Sequence, residues 1–239
     1  MELLRFVLGL CVGSFLNVLI DRLPKGESIW FGRSRCDFCK KPLRWYELIP
    51  IISYLLQAGR CRRCRKKLSL QYPIVELTTG LGFVLIQGQA FDARQGLALS
   101  ITFSALLVIF VADLKYMIIP DSMIVVGLLG VLLQGHPLQT LLPGAGAMLF
   151  FLLLFFVTHA RGMGFGDVKL SFLLGLWLGF PQIIIALYLA FLTGAIVGVT
   201  LILARKKKLK SKIAFGPFLI VGAVGAKVWG DILVKMVLP

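Results

Sequence analysis

Long apolar runs separated by short polar breaks organise the chain, at residues 3–20, 72–86, 97–112, 116–133, 138–159, 168–180, 182–204 and 213–234. Runs of this kind match membrane-crossing helices, since about 20 residues rising 1.5 Å each cover the hydrocarbon core. Backbone polar groups in lipid must bond within their own segment, so the pattern predicts an all-α polytopic membrane protein of about eight transmembrane helices. The stretch 167–204 taken as one helix would run about 57 Å, too long for a bilayer. Phe180-Pro181 is the expected turn, because proline disfavours helix for the residue before it. One long polar interruption separates the first two runs. The chain thus divides into a first span (1–20), a polar insertion (21–71) and a seven-helix core (72–239). The first run follows a single arginine and lacks a small-residue cleavage motif, so it is expected to be a retained span. Glycine pairs such as Gly80/Gly82, Gly144/Gly146 and Gly222/Gly225 allow close helix approach. No longer internal repeat is evident.

Composition agrees with the bilayer reading. Hydrophobic residues make up 58% of the 239 positions and charged residues 15%, against roughly 25% charged in a soluble domain. A net charge of +15 raises the question of nucleic acid, but its distribution answers it. Thirteen of the 26 Lys and Arg residues lie within 22–67 and six within 205–212, in polar breaks where the positive-inside rule places them. Eight spans put both segments on the cytoplasmic side and both termini outside. The same parity puts the breaks 87–96, 134–137 and Pro181 outside, where Arg94 is the sole Lys or Arg. The charge is a topology and lipid-headgroup signal, and no nucleic-acid partner is expected.

Within the polar insertion, Cys36-Asp-Phe-Cys39 and Cys61-Arg-Arg-Cys64 form two C-x-x-C knuckles with 21 residues between them. This spacing supplies four thiolates to one tetrahedral Zn2+, a closed and therefore structural site. Two disulfides are the competing reading, disfavoured by a cytoplasmic placement. Arg35, Lys40, Arg60, Arg62, Arg63 and Arg65 offset the charge of four thiolates, and the basic surface is expected to rest on anionic lipid headgroups. Cys11, within an apolar run, is expected to be a small buried core residue.

Acids inside apolar spans are rare and usually functional. Asp113 closes the third run, Asp121 opens the fourth, and Asp167 opens the sixth within Gly164-Phe-Gly-Asp167. All three fall at the same membrane boundary, so Asp113 and Asp167 can meet although 54 residues separate them. Two carboxylates about 3 Å apart cannot both ionise; one activates water while the other protonates the scissile carbonyl. Asp113 at a helix C-terminus and Asp167 at a helix N-terminus would divide the labour, with Asp113 holding the shared proton. Gly162, Gly164 and Gly166 leave room for a substrate backbone. Spacing alone equally allows a glycine-rich cap with an N-terminal aspartate. Asp121, after a proline, is expected to cap its own helix, and Lys115 and Lys169 to be boundary charges. A small transporter using the same acids for cations or protons is the alternative from another class.

The combination of segments resembles the bacterial type IV prepilin peptidases over almost the whole chain. The resemblance rests on Gly13-Ser-Phe-Leu-Asn17, Arg22-Leu-Pro24, both knuckles, Ile49-Pro-Ile-Ile-Ser-Tyr54 and Tyr72-Pro-Ile-Val-Glu76. It extends through Asp113, Ile119-Pro-Asp121, Gly164-Phe-Gly-Asp167-Val-Lys169 and Phe215-Gly-Pro-Phe218. It implies an aspartyl endopeptidase of the bacterial inner membrane with Asp113 and Asp167 as its catalytic pair. The substrates implied are prepilins or pseudopilins, cleaved after a glycine at the cytoplasmic face. Many members also methylate the new N-terminus with S-adenosylmethionine, for which Glu76 is the candidate residue here; an interhelical hydrogen bond is its other reading. A peptidase without methyl transfer is the nearest alternative. Neither the pilin served nor the oligomeric state is legible in the sequence.

Overall fold

The computed structural model describes residues 1–29, 31–135, 137–159, 163–204 and 213–237. Gly162 and the basic run 205–212 lie outside the described residues. Among those described, the chain is helical without strands: α1 (Glu2–Arg22), α2 (Ile52–Leu56), α3 (Gln71–Gln89), α4 (Ala93–Tyr116), α5 (Asp121–Leu133), α6 (Pro137–Val157), α7 (Phe165–Leu178), α8 (Gln182–Leu203) and α9 (Gly216–Val237). Each apolar run of the sequence coincides with one of these helices. Four stretches, Glu2–Lys25, Ala93–Tyr116, Gln139–Val157 and Gln182–Leu203, are long and apolar enough to cross a membrane. The fourth run begins its helix at Asp121 rather than at residue 116, because Met117 takes a left-handed turn (φ 54°) and Pro120 holds an extended backbone before α5. The expected turn near Pro181 falls at Gly179–Pro181, where Gly179 has φ 73°. Internal contacts group the chain into two units, Met1–Val108 and Ile109–Pro239.

In the first unit, α1 and α3 run antiparallel in matching steps of four residues. Asn17 Nδ2 donates to the Tyr72 carbonyl at 3.1 Å. A Cβ on Gly13 would lie 2.7 Å from the Glu76 Cα, and one on Gly9 would lie 2.7 Å from the Gly80 Cα. Small residues at every fourth position let the two backbones touch, as lipid-embedded helices require when no hydrophobic effect drives them together. The polar insertion connects these helices and holds a feature the sequence pattern concealed. Arg35-Cys-Asp-Phe-Cys-Lys-Lys-Pro-Leu43 and Arg60-Cys-Arg-Arg-Cys-Arg-Lys-Lys-Leu68 are a nine-residue repeat, correcting the expectation of none. Both copies fold alike. Lys40 N–H bonds the Cys36 carbonyl and Arg65 N–H the Cys61 carbonyl, each at 2.9 Å. Lys40 and Arg65 share a left-handed backbone (φ 56° and 59°), and short bridges close each turn at Arg35–Pro42 and Arg60–Lys67.

In the second unit α6 packs on α7 and α8 on α9, while α7 also lies against α5 and α9. Glycines again mark the close crossings. A Cβ on Gly175 would lie 2.6 Å from the Gly144 Cα, and one on Gly222 would collide with the Ala186 carbonyl. Phe151, Phe191, Phe215 and Phe218 form a chain of ring contacts, with Phe191 and Phe215 centroids 5.2 Å apart. This cluster seats the first turn of α9.

Candidate active site

Asp113 occupies the last turn of α4 and is 5% exposed; Asp167 occupies the first turn of α7 and is 6% exposed. The two are close enough to interact electrostatically. Each is held by a glycine N–H at a helix start. Asp167 is the third residue of α7, and its Oδ2 reaches back to accept the Gly164 N–H at 3.1 Å, the carboxylate half of a capping box. Asp113 Oδ2 accepts the Gly216 N–H at 3.0 Å, one of the donors that a helix N-terminus leaves unpaired. This second bond changes the expected asymmetry. Asp113 ends its own helix but faces the positive end of α9, so helix ends alone give neither carboxylate a preference for holding a proton.

A glycine-rich cap accounts for one oxygen of Asp167 and not for the other. Asp167 Oδ1 is buried and has no hydrogen-bond partner among the described residues. A buried acceptor left without a donor costs about 1–3 kcal/mol, and such orphans call for a functional explanation. Ile119, in the link between α4 and α5, packs against both glycine backbones. A Cβ on Gly166 would meet Ile119 Cβ at 3.0 Å, and one on Gly216 would meet Ile119 Cδ1 at 3.3 Å. The link, the α7 start and the α9 start therefore converge around the pair of acids.

Asp121 departs from expectation. Pro120 rather than Asp121 is the N-cap of α5, and both Asp121 oxygens accept from Lys169 Nζ, at 2.7 and 2.8 Å. Lys169 also lies 5.2 Å from the centroid of the Phe165 ring. The two residues read from sequence as a cap and a boundary charge instead tie the start of α5 to the start of α7. The spacing of neither residue disclosed this, because the partners are 48 positions apart.

The four knuckle cysteines converge: their Sγ atoms all lie within 4.8 Å of one another. Cys36 and Cys64 Sγ are 3.8 Å apart, far from the roughly 2.05 Å of a disulfide and equal to the edge of a tetrahedron with about 2.3 Å Zn–S bonds. All four are free thiols, whereas Cys11, expected to be buried, is exposed on the outward face of α1. The Cys64 and Arg63 backbone N–H groups draw the Cys61 thiol down to about 7, whereas burial pushes Cys36 up to about 11. The groups that lower Cys61 are thus backbone donors first and the Cys36 and Cys64 side chains after them, not the surrounding arginine side chains.

Glu76 is 7% exposed. Its Oε2 accepts the Ile51 N–H at 2.8 Å. It borders a cavity of about 110 Å³ that Asn17, Glu47, Tyr54 and Tyr72 also line. A second cavity of about 220 Å³ adjoins it through Asn17, Asp37 and Tyr72.

Residues 7–89 match the bacterial peptidase A24 N-terminal domain, and residues 100–199 match the type IV leader peptidase family. The chain is 33% identical over 264 residues to a prepilin leader peptidase/N-methyltransferase of Stutzerimonas stutzeri, covering 96% of this chain and 91% of that protein. Likeness to the protein of the same name from Aeromonas hydrophila is 34% over 271 residues, covering 97% and 92%. For that from Bacillus subtilis (strain 168) it is 33% over 237 residues, covering 96% and 95%. No solved structure matches the chain.

Proposed function

The chain belongs to the type IV leader peptidase family, and from that premise we propose that Asp113 and Asp167 are the catalytic pair of a prepilin leader peptidase acting at the cytoplasmic membrane boundary. The observation that carries this reading is Asp167 Oδ1, buried, without a partner among the described residues and within electrostatic reach of Asp113. The pair works with one proton between them. The ionised carboxylate takes a proton from water as its oxygen adds to the scissile carbonyl, and the protonated one gives its proton to the carbonyl oxygen. When the tetrahedral carbon collapses, the C–N bond breaks and the leaving amine receives a proton from the dyad. The glycine N–H donors from α7 and α9 hold one oxygen of each carboxylate in place, so catalysis needs little rearrangement of the acids. Gly164 adds no side chain beside Asp167, whose Oδ2 would lie 3.6 Å from a Cβ there. An eight-span topology brings the substrate bond to this side of the bilayer.

The four cysteines fit one Zn2+, which would close the knuckles as a structural centre and take no part in cleavage. The first unit is proposed to carry N-methylation of the cleaved product. Its two adjoining cavities, of about 110 and 220 Å³, together reach the roughly 300 Å³ of small-ligand sites. Glu47 and Glu76 with the Tyr54 and Tyr72 rings suit a cationic sulfonium. S-adenosylmethionine, when bound, supplies the methyl group for the new amine. Glu76 already gives Oε2 to Ile51, so its part would be to shape the site.

Co-expression with a prepilin tests both halves. Asp113→Asn and Asp167→Asn should each abolish the gel shift of leader removal while the protein still inserts. Continued processing by both variants would sink the peptidase assignment. Mass spectrometry of the mature N-terminus should show one added methyl group, and an unmodified amine removes the second activity.

A further inference from the structure

The polar insertion holds one segment whose surface is not polar. Among residues 45–56, Trp45 is 78% exposed, Ile52 55%, Leu55 69% and Leu56 74%. These side chains belong to a short 3-10 turn and to α2, which the Ile49-Pro50-Ile51 corner joins. In water so many large apolar groups on twelve residues would leave a sticky patch.

The depth of that corner is fixed by Glu76. The residue lies five positions into α3, about 7.5 Å along its axis, and its Cα packs against Gly13, nine positions before the end of α1 and about 13.5 Å inside it. The Ile51 N–H is bonded to this carboxylate at 2.8 Å. The corner therefore docks inside the α1/α3 pair, below the helix ends. Ile51 sits at φ 59°, ψ −52°, a conformation that a β-branched residue adopts only when its surroundings hold it. The Glu76 carboxylate meets a need that water cannot meet at lipid depth, where a free N–H is costly. Basic groups rim the patch: Arg44 adjoins Trp45, and Arg62 lies 5.3 Å from the Tyr46 ring centroid. An apolar face flanked by tryptophan and arginine is the composition of an interfacial segment, which seats about 5–10 Å into the headgroup–acyl boundary.

We propose that residues 45–56 form a re-entrant interfacial segment inserted into the leaflet nearest the knuckles. Lipid acyl chains lie against Trp45, Ile52, Leu55 and Leu56, anionic headgroups lie against Arg44 and Arg62, and Glu76 is the tether that sets the depth. The inference needs α1 to cross the membrane and does not depend on which residues cleave the substrate. The test uses the full chain with Trp30, Trp177 and Trp229 replaced by Phe, in phosphatidylethanolamine–phosphatidylglycerol vesicles. Trp45 emission should be quenched by acyl-brominated lipid at least about twofold more than by aqueous iodide, as insertion to that depth requires. Stronger quenching by iodide, with no effect of brominated lipid, overturns the proposal and leaves the patch to a protein partner. Glu76→Gln, which keeps an acceptor oxygen, should retain lipid quenching, and Glu76→Leu should lose about half of it. Unchanged quenching in Glu76→Leu overturns the tether. A tryptophan moved to position 56 (Leu56→Trp with Trp45→Phe) gives an independent reading should Glu76→Leu not fold, and iodide-dominated quenching there overturns insertion.

Discussion

Gly216 serves Asp113 twice, through its N–H and through the side chain it lacks. A Cβ there would sit 2.7 Å from Asp113 Oδ2, so the group that must move is the carboxylate itself. Alanine favours helix over glycine by about 1 kcal/mol, so Gly216→Ala should leave the thermal midpoint nearly unchanged. Leader cleavage should nonetheless fall at least about tenfold, the equivalent of 1.4 kcal/mol of lost positioning. Gly146→Ala is the matching control, since a Cβ there meets nothing within 4 Å, and it should cleave normally. A Gly216→Ala protein with full activity would remove Gly216 from the positioning of Asp113. At this scale Asp113 and Asp167 stood out because acids at apolar spans are rare and because the segments around them resemble a family that uses such a pair. Their donors did not. Gly216 is 103 residues from Asp113, and a backbone N–H carries no sequence signature. The Asp121–Lys169 pair was hidden for the same reason, each member having an adequate local explanation of its own.

Helix positions followed from apolar periodicity, whereas helix partners did not. Every apolar run became a helix because hydropathy marks a lipid-facing segment whatever it packs against. Pairing depends on which small residues align, and glycines occur in most of the runs. Only the structure shows that Gly9, Gly13 and Asn17 meet Gly80, Glu76 and Tyr72 in step. The alignment makes a specific demand on α1. Ala at Gly13 would press its Cβ to 2.7 Å from the Glu76 Cα and 3.0 Å from Thr79 Oγ1, and neither helix can yield without separating from the other. Gly13→Ala should lower stability by about 1–3 kcal/mol despite alanine's better helix propensity. Gly88→Ala, on α3 with nothing within 4 Å, should be neutral. Thermal unfolding in one detergent compares the two, and equal midpoints would show that the α1/α3 crossing is looser than the structure has it. The knuckle repeat is another lesson at this scale. Its cysteines were plain, but the equivalence of the two nine-residue turns emerged only when Lys40 and Arg65 proved to share one backbone conformation.

For the whole molecule, parity and charge together make a claim that can be checked without knowing the substrate. On the proposed eight crossings, residues 21–71 would lie inside and the 87–96 break outside, and the Lys and Arg content agrees with that assignment, thirteen falling within 22–67 against Arg94 alone in that break. Moving a charge-rich segment of this kind across the membrane is disfavoured, so the two sides should be distinguishable in intact cells. Phe91 is 95% exposed in the break between α3 and α4, and Glu27 is exposed in the insertion. A membrane-impermeant maleimide should label Phe91→Cys in spheroplasts and reach Glu27→Cys only after the membrane is opened. Because α4 runs unbroken from Ala93 to Tyr116, a cysteine label outside at position 91 also requires Asp113, near the far end of that helix, to lie toward the cytoplasm. Labelling in the reverse order would invert the chain, place Asp113 on the outer face, and rule out cleavage of a leader from the cytoplasmic side.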